Sequence, residues 1–143
     1  FEEQRIRCIS ANGKSNICAE IAKTPVGCVI LVIADGAAFG PEMEKTLAQH
    51  GRRNIALFLP ESFEWLILSS ELLNRGETKQ MLKDPSVCIE SSQYFSWERF
   101  FTSFLVGKTK DTYLQYNKAN LNPHYLQQHE KKAIQALMPE YKA

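Results

Sequence analysis

The stretch Val-Gly-Cys-Val-Ile-Leu-Val-Ile-Ala-Asp-Gly, at residues 26–36, decides the fold of this 143-residue chain. Residues 26–34 are apolar and rich in β-branched side chains, and they do not alternate with polar residues. Such a run is typical of a central strand that is covered on both faces, as in parallel sheets. The Asp35-Gly36 pair that follows is common in turns and predicts the end of the strand.

The sequence on either side of this stretch predicts short strands that alternate with helices. Because strand–helix–strand connections are right-handed and lay the helix on the sheet, the alternation predicts a small, mostly parallel sheet in a three-layer α/β/α arrangement. The C-terminal third is expected to be helical. Ser96 is expected to cap a helix whose aromatic stripe packs in the core, and Leu126 and His129 are expected to face inward on the last helix. The further strands are predicted at residues 4–9, 54–59 and 87–90, and the helices at residues 15–23, 41–50, 61–74 and 77–83, from 96 and from 122.

Length and composition limit the class of protein. With 44% hydrophobic and 23% charged residues, the chain suits one globular domain over residues 1–143, and wholesale disorder is excluded. The longest apolar run, residues 26–34, is about half of the ~20 residues that a membrane-spanning helix needs, so no membrane partner is expected. The chain begins with Phe1 rather than Met, which suggests a trimmed chain or the C-terminal part of a longer protein.

The four cysteines, at positions 8, 18, 28 and 88, match no zinc or redox spacing. They are interpreted as small buried hydrophobic residues in a reducing compartment, which predicts a cytoplasmic location. The net charge of +1 excludes a histone-like polycation but allows a local basic surface. The candidate for such a surface is the C-terminal third, which contains Lys108, Lys110, Lys118, Lys131 and Lys132 interleaved with Tyr113, Tyr116 and Tyr125.

Carboxylates on and beyond the predicted strands are the candidate catalytic groups. Asp35 follows the most apolar strand, at the sheet edge where open α/β proteins hold their sites, and we expect it to bind a metal or to cap the turn. Glu3 and Arg5 are two residues apart on a predicted strand, so their side chains share one face. A carboxylate beside a cation suits phosphodiester hydrolysis, because the acid holds a metal and the cation stabilises the phosphate. An exposed charged strand edge is the alternative.

Two short polar segments are candidates for contacts with the backbone of DNA. Lys14, Ser15 and Asn16 open the first predicted helix, where a phosphate can be bound. Arg52 and Arg53 follow a predicted helix, and they either contact phosphates or complement the helix dipole. No second glycine completes a Walker pattern, and the histidines lack the spacing of a zinc site.

The order of these features resembles the second half of the PD-(D/E)XK core of restriction endonucleases. In that family a strand with Glu-x-Lys leads through a Gly/Ser-rich turn to a helix, and then to an apolar strand that ends in Asp-Gly. Here residues 3–5, 12–16 and 29–36 follow that order, with Arg5 where lysine is usual. The first Asp of the family's motif would lie before Phe1.

This resemblance implies a DNA-binding domain or fragment with Mg²⁺-dependent endodeoxyribonuclease activity. Glu3 and Asp35 would hold the metal, and Glu3 and Arg5 would act in catalysis. The residues expected to contact DNA are Lys14, Ser15, Asn16, Arg52 and Arg53.

Two alternatives stay open. Residues 35–40 resemble the Asp-x-Asp-x-x-Gly stretch of TOPRIM domains, but Ala37 replaces the second Asp, which implies a degenerate member. The other alternative is a non-enzymatic α/β interaction domain, because the predicted helix at residues 61–74 is apolar nearly all the way round. Such a helix is deeply packed or lies at an interface, and an interface near Trp65 predicts a homodimer.

Overall fold

The computed structural model describes residues 6–36, 48, 54–73, 76–84 and 96–139. These residues form a small α/β fold with a two-stranded parallel sheet and a helical C-terminal part, which confirms the predicted fold class. They cluster into two compact units, the first ending at Leu59 and the second beginning at Pro60. The single domain over residues 1–143 stays a prediction.

The described elements are five α-helices, two strands and two 3₁₀ turns. No helix within the described ranges combines the length and the apolar character that a membrane crossing requires. The predicted elements at residues 41–50 and 87–90 lie outside these ranges, apart from residue 48. The elements are the 3₁₀ turn Lys14–Asn16, α1 (Ile17–Lys23), β1 (Ile30–Ile33), β2 (Ile55–Phe58), α2 (Phe63–Ser69), α3 (Gly76–Lys83), α4 (Trp97–Thr109), the 3₁₀ turn Pro123–Leu126 and α5 (Gln128–Gln135).

The first unit is built on the parallel pairing of β1 with β2, in which Ile30 lies opposite Ile55. The N–H of Ile30 donates to the carbonyl of Asn54 at 2.9 Å at the start of the pairing. Alternate side chains of a strand share one face, and here that face packs on α1, with Val32 and Ile21 buried at the contact. Helix α1 therefore covers one face of the sheet.

Strand β1 is shorter than the apolar run that predicts it. Residues 26–29 precede the strand, and Val26 is 98% exposed. A turn replaces extended backbone there, since the N–H of Cys28 donates to Pro25 at 3.3 Å and Gly27 adopts a φ of 97°, which glycine adopts without strain. The predicted strand at residues 4–9 is also wrong over residues 6–9, which are irregular.

The cysteines of the first unit differ from the prediction of burial. Cys8 and Cys28 are exposed, because both lie in irregular segments outside the sheet. Cys18 is half-buried on α1, where it packs against the cluster of Ile21 and Val32. Cys88 lies outside the described residues.

Helix α2 is shorter than the predicted helix at residues 61–74. The hydroxyl of Ser62 caps its start by accepting from the N–H of Trp65 at 3.1 Å. The hydroxyl of Ser70 donates to the carbonyl of Ile67 at 2.7 Å, and Glu71 turns into the left-handed region at a φ of 62°. These two features end the helix at Ser69.

Helix α4 begins at the predicted cap, because the Ser96 hydroxyl accepts from the N–H of Arg99 at 3.3 Å. Its aromatic stripe packs in the core of the second unit, as predicted, with Phe100 and Phe101 buried and Trp97 at the exposed end. The side chains at the centre of this core are Ile67, Leu68, Met81, Phe100, Phe101, Leu105, Leu114 and Tyr125.

The predicted C-terminal helix is divided into two parts. Gln127 has extended backbone between the 3₁₀ turn and α5. The residues before and after Gln127 therefore do not follow the spacing of a single continuous helix. Tyr125 and Glu130 are consequently buried, whereas Leu126 and His129 are exposed. The expectation that Leu126 and His129 point inward was therefore wrong.

Candidate functional site

Asp35 lies at the carboxyl edge of the sheet, two residues beyond the end of β1. The parallel pairing continues to this edge, since the N–H of Ala34 donates to the carbonyl of Phe58 at 3.2 Å. Asp35 is half-buried there. Its backbone position is therefore set by the sheet, and its carboxylate lies at the end of the strands where α/β proteins place ligands.

The turn with the predicted phosphate contacts precedes α1. Lys14, Ser15 and Asn16 are all exposed. The Asn16 amide donates to the carbonyl of Ala11 at 3.0 Å, and so it closes the preceding loop. Ser15, where the predicted helix starts, does not cap it, because the 3₁₀ turn moves the cap position to Asn16.

The other predicted site residues are Glu3, Arg5, Arg52 and Arg53, and all four lie outside the described residues. Within the ranges that the structure does describe, no group of three or more His, Cys, Asp or Glu side chains is placed to hold a metal ion. The assignment of Mg²⁺ to Glu3 and Asp35 stays a prediction.

The second unit contains a polar network that the sequence did not predict, centred on the carboxylate of Glu64. This side chain lies in the first turn of α2 and is only 3% exposed. Its Oε1 accepts from the hydroxyl of Tyr116 at 2.9 Å and from the hydroxyl of Thr102 at 3.0 Å. The ammonium of Lys118 lies 3.6 Å from the same oxygen and also pairs with Glu98. The network thus joins α2, α4 and the loop that follows α4.

The charges in this network are stable near neutral pH. Burial acts to raise the pKa of Glu64, but hydrogen bonds from its own backbone, Tyr116 and Thr102, together with Lys118, hold that pKa below its ordinary value. Burial and the neighbouring Glu64 raise the pKa of the Tyr116 phenol. The hydrogen bond to Glu98 raises the pKa of Lys118. A charged carboxylate, a neutral phenol and a charged ammonium hold the loop in place, and none of them is poised for proton transfer at neutral pH.

A groove of about 490 Å³ runs beside this network, between α4 and the following loop. Lys118 at its wall pairs with Glu98 and lies 3.6 Å from Glu64, so its ammonium is already occupied by carboxylates. The groove suits solvent or a neutral polar group. Its lining consists of Thr102, Val106, Gln115, Tyr116, Asn117, Lys118, Asn120 and Asn122.

The tyrosines of the C-terminal third have different environments. Tyr116 and Tyr125 are buried, and the hydroxyl of Tyr125 donates to the carbonyl of Leu114 at 2.6 Å. Tyr113 is 60% exposed. Only Tyr113 among the three can therefore offer its ring to an external partner.

The apolar helix α2 packs within its own unit. Leu66, Ile67 and Leu68 are buried, and Trp65 packs against the same core. Deep packing, one of the two interpretations of its apolar character, accounts for these residues. Phe63 is exposed at the start of the helix, and the homodimer near Trp65 stays a prediction.

Comparison with protein-family models, with curated proteins and with solved structures gave no match.

Proposed function

We propose that this chain is a metal-dependent phosphodiesterase domain that cleaves DNA, with Asp35 as a metal-binding carboxylate. The supporting observation is the position of Asp35, half-buried at the carboxyl edge of a parallel sheet. Ligands of open α/β sheets bind at that edge, and carboxylate oxygens suit a hard cation such as Mg²⁺.

The remaining roles follow from the resemblance to the restriction-endonuclease core. Glu3 supplies a second carboxylate, and Arg5 stabilises the charge on the phosphate. The exposed ammonium of Lys14 contacts the phosphate backbone and orients the DNA without reading its sequence. A bound Mg²⁺ would supply electrostatic stabilisation and a water of lowered pKa.

The proposal is tested by incubating supercoiled plasmid DNA with the protein in Mg²⁺ and comparing Asp35→Asn with Asp84→Asn. Asp84 is the matched control, because it is an exposed aspartate at the end of α3 in the second unit. We expect nicking or linearisation by the unmodified chain and by Asp84→Asn. The Asp35→Asn variant should lose cleavage and Mg²⁺ binding, the latter measured by calorimetry.

Two results would overturn the proposal. One is the absence of cleavage by the chain in Mg²⁺ and in Mn²⁺. The other is equal cleavage by Asp35→Asn and Asp84→Asn when circular dichroism shows both variants to be folded.

We also propose a cytoplasmic location. Cys8, Cys18 and Cys28 are free thiols, and two of them are exposed, which suits a reducing compartment. Cell fractionation with a thiol-labelling reagent tests this, and recovery of these cysteines in oxidised form would contradict it.

A further inference from the structure

Tyr113 presents an aromatic ring at the surface of the second unit, and its orientation is fixed from two sides. Its hydroxyl donates to Oε1 of Glu130 on α5 at 3.2 Å. The ring of His124 stands at right angles to it, with the ring centroids 5.6 Å apart. The side chain is nevertheless 60% exposed, so a fixed aromatic ring remains open to solvent.

The segments next to this ring carry an excess of positive charge. Residues 110–139 contain four lysines and two carboxylates, Asp111 and Glu130, and Glu130 is buried beneath the Tyr113 hydroxyl. Lys118 is occupied by Glu98 and Glu64. The three other lysines, Lys110, Lys131 and Lys132, are exposed and make no ion pair with any residue that the structure describes.

These lysines lie on two segments: the loop that contains Tyr113, and helix α5, which contacts Tyr113 through Glu130. Lys110 is three residues before Tyr113 in the same loop, and Lys131 and Lys132 follow Glu130 directly on α5. A flexible lysine side chain reaches several ångströms, so an ammonium group on either segment can contact the phosphates of a strand that is bound at the ring. We call Lys110, Tyr113, His124, Lys131 and Lys132 together the aromatic–lysine surface.

We propose that the aromatic–lysine surface binds single-stranded DNA, with one base stacked on Tyr113 and phosphates contacted by the lysines. This inference rests on the proposed function, which makes DNA the substrate. Stacking on an aromatic side chain requires an unpaired base, because the faces of bases inside a duplex are already covered. Lysines neutralise phosphates and release counterions irrespective of sequence, which supplies affinity.

The test is fluorescence anisotropy of a labelled 12-nucleotide oligothymidylate, titrated with the full chain in EDTA so that no cleavage occurs. Tyr113→Ala should weaken binding by roughly 5- to 150-fold, the equivalent of about 1–3 kcal/mol for one stacked base. Tyr113→Phe keeps the ring and should retain binding within about twofold, since stacking needs the face and not the hydroxyl.

The lysines are tested by the dependence of affinity on salt. Each phosphate contact on a single strand contributes about 0.7 to the slope of log K against log salt, so Lys131→Ala and Lys132→Ala should each lower that slope by about 0.7. Lys79→Ala is the matched control, because Lys79 is an exposed lysine of the same unit that pairs with Glu71. It should leave both the affinity and the slope unchanged.

Several outcomes would overturn the inference. Equal losses of DNA affinity in Tyr113→Ala and Tyr113→Phe would assign the effect to the hydrogen bond between the Tyr113 hydroxyl and Glu130, and not to stacking on the ring. Binding of the single strand by Tyr113→Ala as tightly as by the unmodified chain would refute stacking, as would an undetectable affinity of the unmodified chain. If Tyr113→Ala does not fold, an unchanged salt slope in the lysine variants still refutes the inference. None of these results depends on the Asp35 cleavage assay, so the failure of either proposal can be told from the failure of the other.

Discussion

Removal of the Tyr116 hydroxyl tests the physical account of the buried network. In Tyr116→Phe, the carboxylate of Glu64 loses a hydrogen bond of 2.9 Å but keeps Thr102 and Lys118. A hydrogen bond to a charged group contributes about 1.5–3 kcal/mol, and both partners here are almost fully buried, so the free energy of unfolding should fall by about that amount at pH 7.

The matched control is Tyr125→Phe, which removes the same group from another buried tyrosine. Its hydroxyl donates to the neutral carbonyl of Leu114 at 2.6 Å, and a bond of this kind is worth only about 0.5–1.5 kcal/mol. The assay is urea denaturation followed by tryptophan fluorescence. Both tryptophans, Trp65 and Trp97, belong to the second unit, so the signal reports the unit that contains the network.

The pH dependence gives the sharper comparison. The folded chain holds the pKa of Glu64 below its ordinary value, so the unfolded chain binds the proton more readily. The stabilisation by Glu64 is therefore complete above the unfolded pKa, about 4.3 for glutamate, and is lost as the pH falls through the lower, folded pKa. The difference in unfolding free energy between Tyr116→Phe and the unmodified chain should therefore shrink as the pH falls over that interval, because protonated Glu64 no longer accepts a charge-assisted hydrogen bond.

Either of two results would show that the charge on Glu64 does not stabilise the network in this way. One is an equal loss of stability in Tyr116→Phe and Tyr125→Phe at pH 7. The other concerns the difference in unfolding free energy between Tyr116→Phe and the unmodified chain. If that difference stays constant or grows as the pH is lowered below 4, the charge on Glu64 does not strengthen the hydrogen bond.

Two further predictions concern the elements that surround the network. Leu105→Ala should lower the free energy of unfolding by about 2–5 kcal/mol, because Leu105 is fully buried and its truncation leaves a cavity. Urea denaturation measures this loss, and a loss below about 1 kcal/mol would contradict the packing of Leu105 in the core. Ser62→Ala should cost about 0.5–2 kcal/mol, because the hydroxyl caps α2 through the N–H of Trp65. An unchanged unfolding midpoint in Ser62→Ala would show that the cap contributes nothing.

The sequence predicted the parallel sheet and the position of Asp35 because both depend on local patterns. The apolar run indicated a strand, in which Val32 is buried and Ile33 is exposed, and the Asp-Gly pair marked where it ends. The start of the strand could not be predicted in the same way, since Val26 is as apolar as Val32 and only the turn at Gly27 excludes it from the sheet. Hydrophobicity identifies residues that can be buried, but a turn decides which of them reach the sheet.

The Glu64 network could not be predicted, although one signal was present. Glu64 is an acid inside the otherwise apolar run Phe-Glu-Trp-Leu-Ile-Leu. From the sequence alone, such a carboxylate is expected to face solvent. Its burial depends on Thr102 and Tyr116, which are 38 and 52 residues away in the chain. A buried charge is stable only when such partners meet it, and their meeting is a property of tertiary packing.

The alternation of burial along residues 113–117 connects the network to the proposed DNA surface. Leu114 and Tyr116 are buried, whereas Tyr113 and Gln115 are exposed, and Tyr113 and Leu114 lie in a turn that the N–H of Gln115 closes on the carbonyl of Thr112 at 3.1 Å. The bond from Tyr116 to Glu64 holds the segment just after this turn, and the bond from Tyr113 to Glu130 holds the turn itself. Burying the ion at Glu64 is costly, but the resulting anchor keeps Tyr116 inside the unit, and the proposed single-strand binding needs Tyr113, on the same segment, in a fixed orientation.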